Sequence, residues 1–139
     1  MKAFENAKKF FEACEGAKGW EICRQYVEPG AVFFAQCEPC VDIHTVKVFC
    51  ECMAEFGTVT SPEGYYDLNC AAFDQANRMA MFFCTYHARH TGEGGPVSPT
   101  KKKTSSQCVY ILVMSDKDMV ECMIMVWNSN WAMRELGWL

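Results

Sequence analysis

Long apolar runs are missing from this sequence. Charged residues recur every few positions through the opening MKAFENAKKFFEACEGAKGW, which reads neither as a signal peptide nor as a membrane span, and a cytoplasmic protein with no membrane contact is expected. A positive excess is missing too: 13 Lys and Arg face 17 Asp and Glu, a net charge of -4, so no long-range field draws in nucleic acid. The single basic run, Lys101-Lys102-Lys103, lies between Pro99 and Ser105 and reads as a solvated loop. No repeat, linker or low-complexity tract divides the 139 residues, which suit one domain spanning 1–139. A G-x-S-x-G elbow is absent around Thr104, Ser105 and Ser106, which speaks against a serine hydrolase of that kind.

Cysteine is what the chain has in quantity, at 10 residues. Without an export signal the thiols are expected to stay reduced. Most stand where an apolar residue would: Cys14 ends a helical stripe, and Cys84, Cys108 and Cys122 interrupt apolar strand patterns, as a small hydrophobe does.

Ala3, Phe4, Ala7, Phe10, Phe11 and Cys14 share one helical face, with Glu5, Lys8, Lys9 and Glu12 opposite, and Gly16 stops the helix. A second helical stretch starts at Trp20 and is expected to end at Pro29-Gly30, followed by a short strand over Ala31-Val32-Phe33-Phe34-Ala35. Val48, Phe49, Cys52, Met53 and Phe56 place a third helix between Thr45 and about Phe56. After the Ser61-Pro62-Glu63-Gly64 turn and a short apolar run at Tyr65–Leu68, three β-rich runs follow: Arg78–His90, Thr104–Ser115 and Met119–Trp127. Three helices over one curved meander is the simplest α+β architecture. The long strands are apolar on both faces, as Met79, Met81 and Phe83 alternate with Ala80, Phe82 and Cys84, so a homodimer packed sheet to sheet is expected.

Chemistry is sparser. Cys37-Glu38-Pro39-Cys40, His44, Cys50 and Cys52 include metal-binding residue types, but the spacing lacks two separated ligand pairs and Cys50 and Cys52 diverge on a helix, so neither a metal nor another cofactor is expected. His87 and His90, three apart on a strand, fall on opposite faces, so only one can meet a ligand. An apolar pocket for a small hydrophobic molecule is expected, and its candidate lining residues are Trp20, Tyr26, Phe33, Gln36, Met53, Tyr66, Gln107, Met125, Trp127 and Asn128.

The segments FFEACEGAKGWEICRQYVEPGAVFFAQ, HARHTGEGGPVSPTKKKTSSQCVY and VWNSNWAMRELGW, with the His90-Thr91-Gly92-Glu93 … Pro99-Thr100-Lys101 block as the most specific part, together resemble the SnoaL-like polyketide cyclases of the nuclear-transport-factor-2-like superfamily. The resemblance implies a cone-shaped α+β barrel, a curved antiparallel or mixed sheet wrapped over three helices from the N-terminal half, with a deep pocket and dimerisation through the sheet. It also implies cofactor-independent cyclase, isomerase or hydratase chemistry on a cyclic or polyketide-like substrate, with His90 as the pocket acid or base. By residue type alone, Tyr26 or Tyr66 is the candidate hydrogen-bond donor to a developing enolate. Relatives of this kind carry an acid on the last long strand. Here that strand's only acid is Glu121 at its outer end, and Gln107 stands where similar sequences have Asp, which leaves a non-catalytic binding or protein-interaction module as the alternative.

Overall fold

A computed structural model describes residues 2–139. Helix α1 (Lys2–Glu15) is followed by a single turn α2 (Trp20–Cys23), a 3-10 turn, strand β1 (Val27–Ala35) and helix α3 (Val46–Glu55), which runs into a π-helical turn at Phe56–Thr60. Strands β2 (Tyr65–Asp74), β3 (Met79–Arg89), β4 (Lys103–Met114) and β5 (Val120–Trp127) come next, and α4 (Ser129–Glu135) closes the chain. The strands form one mixed sheet in the order β1-β5-β4-β3-β2, in which β1 runs parallel to β5 and every other pair is antiparallel. The α+β fold is therefore a cone-like open sheet packed on helices, and not a closed barrel: β1 and β2 are its two edges, and β1 is met only locally by the Val32–Thr45 bridge, where Phe33 N donates to the His44 carbonyl at 2.9 Å.

Several boundaries differ from those expected, for identifiable reasons. Pro29-Gly30 does not end a helix but lies within β1, where an edge strand tolerates the missing amide and Gly30, at φ 76°, carries the irregularity that shifts the β1/β5 register between Val27 and Val32. Strand β2 extends well past Leu68, because Ala71 and Phe73 continue the inward alternation beyond a bulge at Leu68/Cys70. A fourth helix, α4, caps one end of the sheet, tied down by Thr104 Oγ1 donating to Glu135 Oε1 at 2.6 Å and Thr100 Oγ1 donating to the Leu136 carbonyl at 2.6 Å.

The core forms where α1 and α3 lie on the inner face of the sheet. Phe11 stacks on Phe82 with centroids 4.7 Å apart, and Phe33 stacks on Phe49 at 4.5 Å. All four rings are buried, each contributing roughly 1.5–3 kcal/mol by leaving water. Helix α3 starts at Thr45, whose side chain accepts from Val48 N at 3.2 Å. The ten cysteines are all free; Cys14 and Cys50 meet inside the helical layer at 3.8 Å, and Cys84 and Cys108 pair across β3/β4 on the inner face.

The His90-Thr91-Gly92 block is structural in part. Gly92 and Thr91 both donate backbone amides to the Thr60 carbonyl, at 3.0 and 3.2 Å. That contact brings the loop so close to the π-helical turn that a Cβ on Gly92 would lie 1.7 Å from the Val59 carbonyl oxygen, so the position admits only glycine.

The register separates the outer face of the sheet into two regions. Across β2, β3 and β4, Tyr65 pairs with His87 and His87 with Ser105, while Asp67 pairs with Thr85 and Thr85 with Gln107; this end is polar. Beyond it the rows Phe83/Val109/Val126 and Ala72/Met81/Ile111/Ile124/Phe34 are apolar. Phe34 is 59% exposed and Val126 60%, so this apolar region faces solvent in the single chain.

Candidate functional site

An apolar cavity of about 390 Å³ lies between α3, α4 and the inner face of β3–β5. Strand alternation positions its wall: Tyr86 and Ala88 from β3, Thr104, Ser106, Cys108 and Tyr110 from β4, and Met125 and Trp127 from β5. Phe49, Cys52, Met53 and Phe56 line it from the α3 side, Pro39, Cys40 and Ile43 from the preceding loop, and Gly95, Leu136 and Trp138 complete the enclosure.

One carboxylic acid, Glu15, reaches this cavity, from the last turn of α1. It is 3% exposed, takes a hydrogen bond from the Tyr110 hydroxyl on Oε1 at 2.9 Å, and takes a weaker one from the Cys84 thiol on Oε2 at 3.6 Å. Burial raises its pKa from an ordinary 4.5 to about 7, against the lowering influence of those two hydrogen bonds. The carbonyl-rich end of α1 adds to the cost of a negative charge there. Tyr110 is itself held far above the ordinary phenol range, first by burial and then by neighbouring acidic groups, so it remains a proton donor to the carboxylate. A smaller pocket of about 190 Å³, lined by Gly57, Gly64, Tyr66 and Tyr86 among others, also includes Glu15 in its wall.

Tyr86 and Ser106 are direct cross-strand partners on the cavity wall, but the Tyr86 hydroxyl reaches toward Gly57 and Gly64, in the smaller pocket beside Glu15. The Ser106 oxygen accepts from Trp127 Nε1 at 3.0 Å, which leaves its own proton available to a bound oxygen. Burial lifts Tyr86 well above the ordinary phenol range, so it too stays protonated. Ser106 and Tyr110 are four residues apart on β4, roughly 13 Å along the strand, so the Ser106 hydroxyl and the Glu15 carboxyl serve different parts of an occupant.

Of the expected pocket residues, Met53, Met125 and Trp127 line this cavity. Tyr66 lines the smaller pocket beside Glu15. Phe33 is buried in the core against Phe49, and Trp20 and Tyr26 pack against that core from its edge. Gln36, Gln107 and Asn128 are exposed, with Gln107 on the outer face because its neighbours Ser106 and Cys108 point inward. His90 is buried behind the wall: its Nδ1 accepts from Trp138 Nε1 at 2.9 Å and its Nε2 donates to the Gly94 carbonyl at 3.0 Å. With both ring nitrogens engaged, it holds Trp138 and the Gly94-Gly95 loop against the cavity. His87 lies on the outer face.

Glu15 is the residue that sequence patterning passes over. The signal was present, since Phe4, Phe11 and Glu15 fall on one helical stripe at i, i+7 and i+11, but an acid directly before a helix-ending Gly16 reads as a solvated terminus. Cys50 and Cys52 do diverge, Cys50 toward Cys14 in the core and Cys52 toward the cavity, and no group of three or more His, Cys, Asp or Glu side chains among the described residues is arranged to hold a metal ion.

No family model and no curated protein matches the sequence. Solved structures do match the fold. A provisionally assigned SnoaL-like polyketide cyclase from Jannaschia sp. CCS1 superposes with a TM-score of 0.79 at 14% identity, covering 97% of this chain and 91% of that one. IdmH from Streptomyces antibioticus, provisionally a polyketide cyclase, gives 0.73 at 14% identity with 99% of each chain covered. AclR, provisionally a hydroxylase, from Streptomyces galilaeus gives 0.75 at 18% identity, covering 99% of this chain and 85% of that one. The chain has the SnoaL-like fold.

Proposed function

We propose that this protein is a cofactor-independent enzyme that binds a hydrophobic, cyclic or polyketide-like molecule in its cavity and moves a proton with Glu15. The observation that carries this reading is a buried carboxyl on the cavity wall, poised at about 7. General acid–base catalysis works best with a group whose pKa lies near the working pH, and typically contributes about 10²- to 10⁴-fold. Tyr110 occupies Oε1, so Oε2, held only by the Cys84 thiol, is the oxygen that exchanges a proton with substrate. As a carboxylate it would abstract a proton next to a carbonyl, and as the acid it would protonate a departing or ring-opening oxygen. Ser106 would hold a substrate oxygen at the opposite end, and His90 serves as a positioning residue through Trp138.

Turnover of a panel of cyclic ketones and epoxides tests the proposal. Activity should follow a pH profile bending near 7, and Glu15→Gln should lower it by about 100-fold or more. Hits whose turnover is unaffected by that substitution would remove Glu15 from the chemistry.

A non-catalytic binding module remains the second reading, favoured by β5, whose inward residues Met123, Met125 and Trp127 include no acid. A ligand carried through purification and seen in native mass spectrometry, with no turnover across the panel, would support it. We further propose that two copies pair through the apolar region of the outer face, in which case Val126→Lys should yield monomers by light scattering. Among the described residues no helix is long and apolar enough to cross a membrane, and we place the protein in the cytoplasm on the strength of its charge pattern.

A further inference from the structure

The polar end of the outer sheet face carries an arrangement that the cavity does not use. The Ser105 hydroxyl lies 2.8 Å from His87 Nδ1, and His87 Nε2 lies 2.9 Å from Asp67 Oδ2. A carboxylate only accepts, so Asp67 fixes the imidazole proton on Nε2 and leaves the Nδ1 lone pair facing the serine hydroxyl. The Tyr65 ring stacks on the imidazole at 4.6 Å and 25°, which holds its plane. Three adjacent strands supply these side chains from directly paired or neighbouring positions, so their spacing is set by the sheet rather than by a loop. Ser105 and Asp67 are exposed and His87 is half-buried, so a reagent in solution can reach the serine.

We propose that Ser105, His87 and Asp67 form a second reactive site, at which Ser105 accepts an acyl group from activated esters or thioesters. Nucleophile, base and orienting acid are related as in serine-dependent acyl transfer, a constellation recognised by geometry and not by sequence order. The Ser105 oxygen forms a bond to the acyl carbon while the bond from that carbon to the leaving oxygen or sulfur breaks. The hydroxyl proton passes to His87 Nδ1 and from there to the leaving group, and no oxidant or cofactor takes part. The Ser105 amide is already donated to Glu135 Oε1 at 3.2 Å and is not free to hold an oxyanion. Both acylation and deacylation go without that donor; an activated leaving group offsets the loss in acylation alone, so the acyl-serine accumulates instead of turning over. The site lies beside the apolar region assigned above to pairing between copies, not within it.

The full-length protein is treated with p-nitrophenyl acetate under reducing conditions and followed by intact mass and peptide mapping. One acetyl group is expected on Ser105, while Ser106, next in sequence but turned inward, stays unmodified. Ser105→Ala should abolish that label. His87→Gln should slow it by about 100-fold and Asp67→Asn by tenfold or more. All three positions are at the surface, and circular dichroism confirms that each variant is folded. Acetyl groups found only on lysines or on His87, or a Ser105 labelling rate unchanged in His87→Gln, would overturn the proposal.

Discussion

Replacing Glu15 by Gln should change how stability responds to pH, and this can be measured without knowing any substrate. The folded protein holds the Glu15 proton up to about 7, while the unfolded chain releases it near 4.5. Below 4.5 both states are protonated and the residue is neutral toward folding. Between 4.5 and 7 the folded state binds the extra proton, so stability falls as pH rises, and above 7 the full cost of a buried carboxylate remains. At about 1.4 kcal/mol per pH unit, that interval corresponds to roughly 3 kcal/mol, a large fraction of the stability of a domain this size. Gln keeps the oxygen that accepts from Tyr110 but does not titrate. Urea unfolding at closely spaced pH values from 4 to 8, with reductant present, should show wild-type stability declining through this range and levelling off, whereas the variant should lack that decline. Parallel curves for the two proteins would refute the reasoning, because they would place the Glu15 pKa near its unfolded value and remove the basis for its proton-transfer role.

Other substitutions probe the same frame. Tyr110→Phe removes a hydrogen bond that lowers the Glu15 pKa, so the decline should still begin near 4.5 but continue to higher pH before levelling off; an earlier levelling in the same urea series would contradict the assignment. Gly92→Ala should cost about 2 kcal/mol or more, read as a lower urea midpoint, since the Val59 carbonyl occupies the space its Cβ needs. His90→Ala should free Trp138 from its partner on Nδ1, shift its fluorescence toward that of a wetter indole, and weaken binding of an apolar probe several-fold without abolishing it; unchanged emission would mean that His90 does not position the ring.

What the sequence made legible follows from which forces act locally. Helical stripes gave α1 and α3, and two-faced apolar strands gave β3, β4 and β5, because burial imposes those periods directly. The Pro29-Gly30 pair misled because its meaning depends on whether the strand that contains it is an edge, and neighbours β1 and β5 are far apart in the chain. Helix α4 went unseen because Trp131 and Leu136 lie in a segment too short to show a period; its position is set by long-range bonds from Thr100 and Thr104. The sheet's inner face was predictable as a cavity wall; Met125 and Trp127 stand on it, and Met53 faces it from α3. Trp20, Tyr26 and Phe33 are of the right residue type, but their distance from the cavity is a matter of packing that residue type does not encode.

The absence of an acid on β5 weighs less once the shape of the cavity is known. A proton-transfer group must stand within reach of the substrate and have a pKa near the working pH, and neither condition specifies which element supplies it. In this fold the C-terminal end of α1 projects under the sheet, so a residue four positions after Phe11 reaches the same enclosed space that β5 borders, and arrives there by helix geometry. The surroundings then do the tuning: burial pushes the carboxyl up, while Tyr110 and Cys84 keep it from being neutral at every physiological pH. Asp and Glu differ by one methylene, and from a helix end the longer side chain is the one that spans the gap to Tyr110 on the facing strand. Glu15→Asp should therefore leave a buried acid but lengthen or break the 2.9 Å bond to Tyr110, raising the pKa further and lowering activity at neutral pH. A variant that keeps the wild-type pH dependence would show that Tyr110 does not set the acidity of this carboxyl.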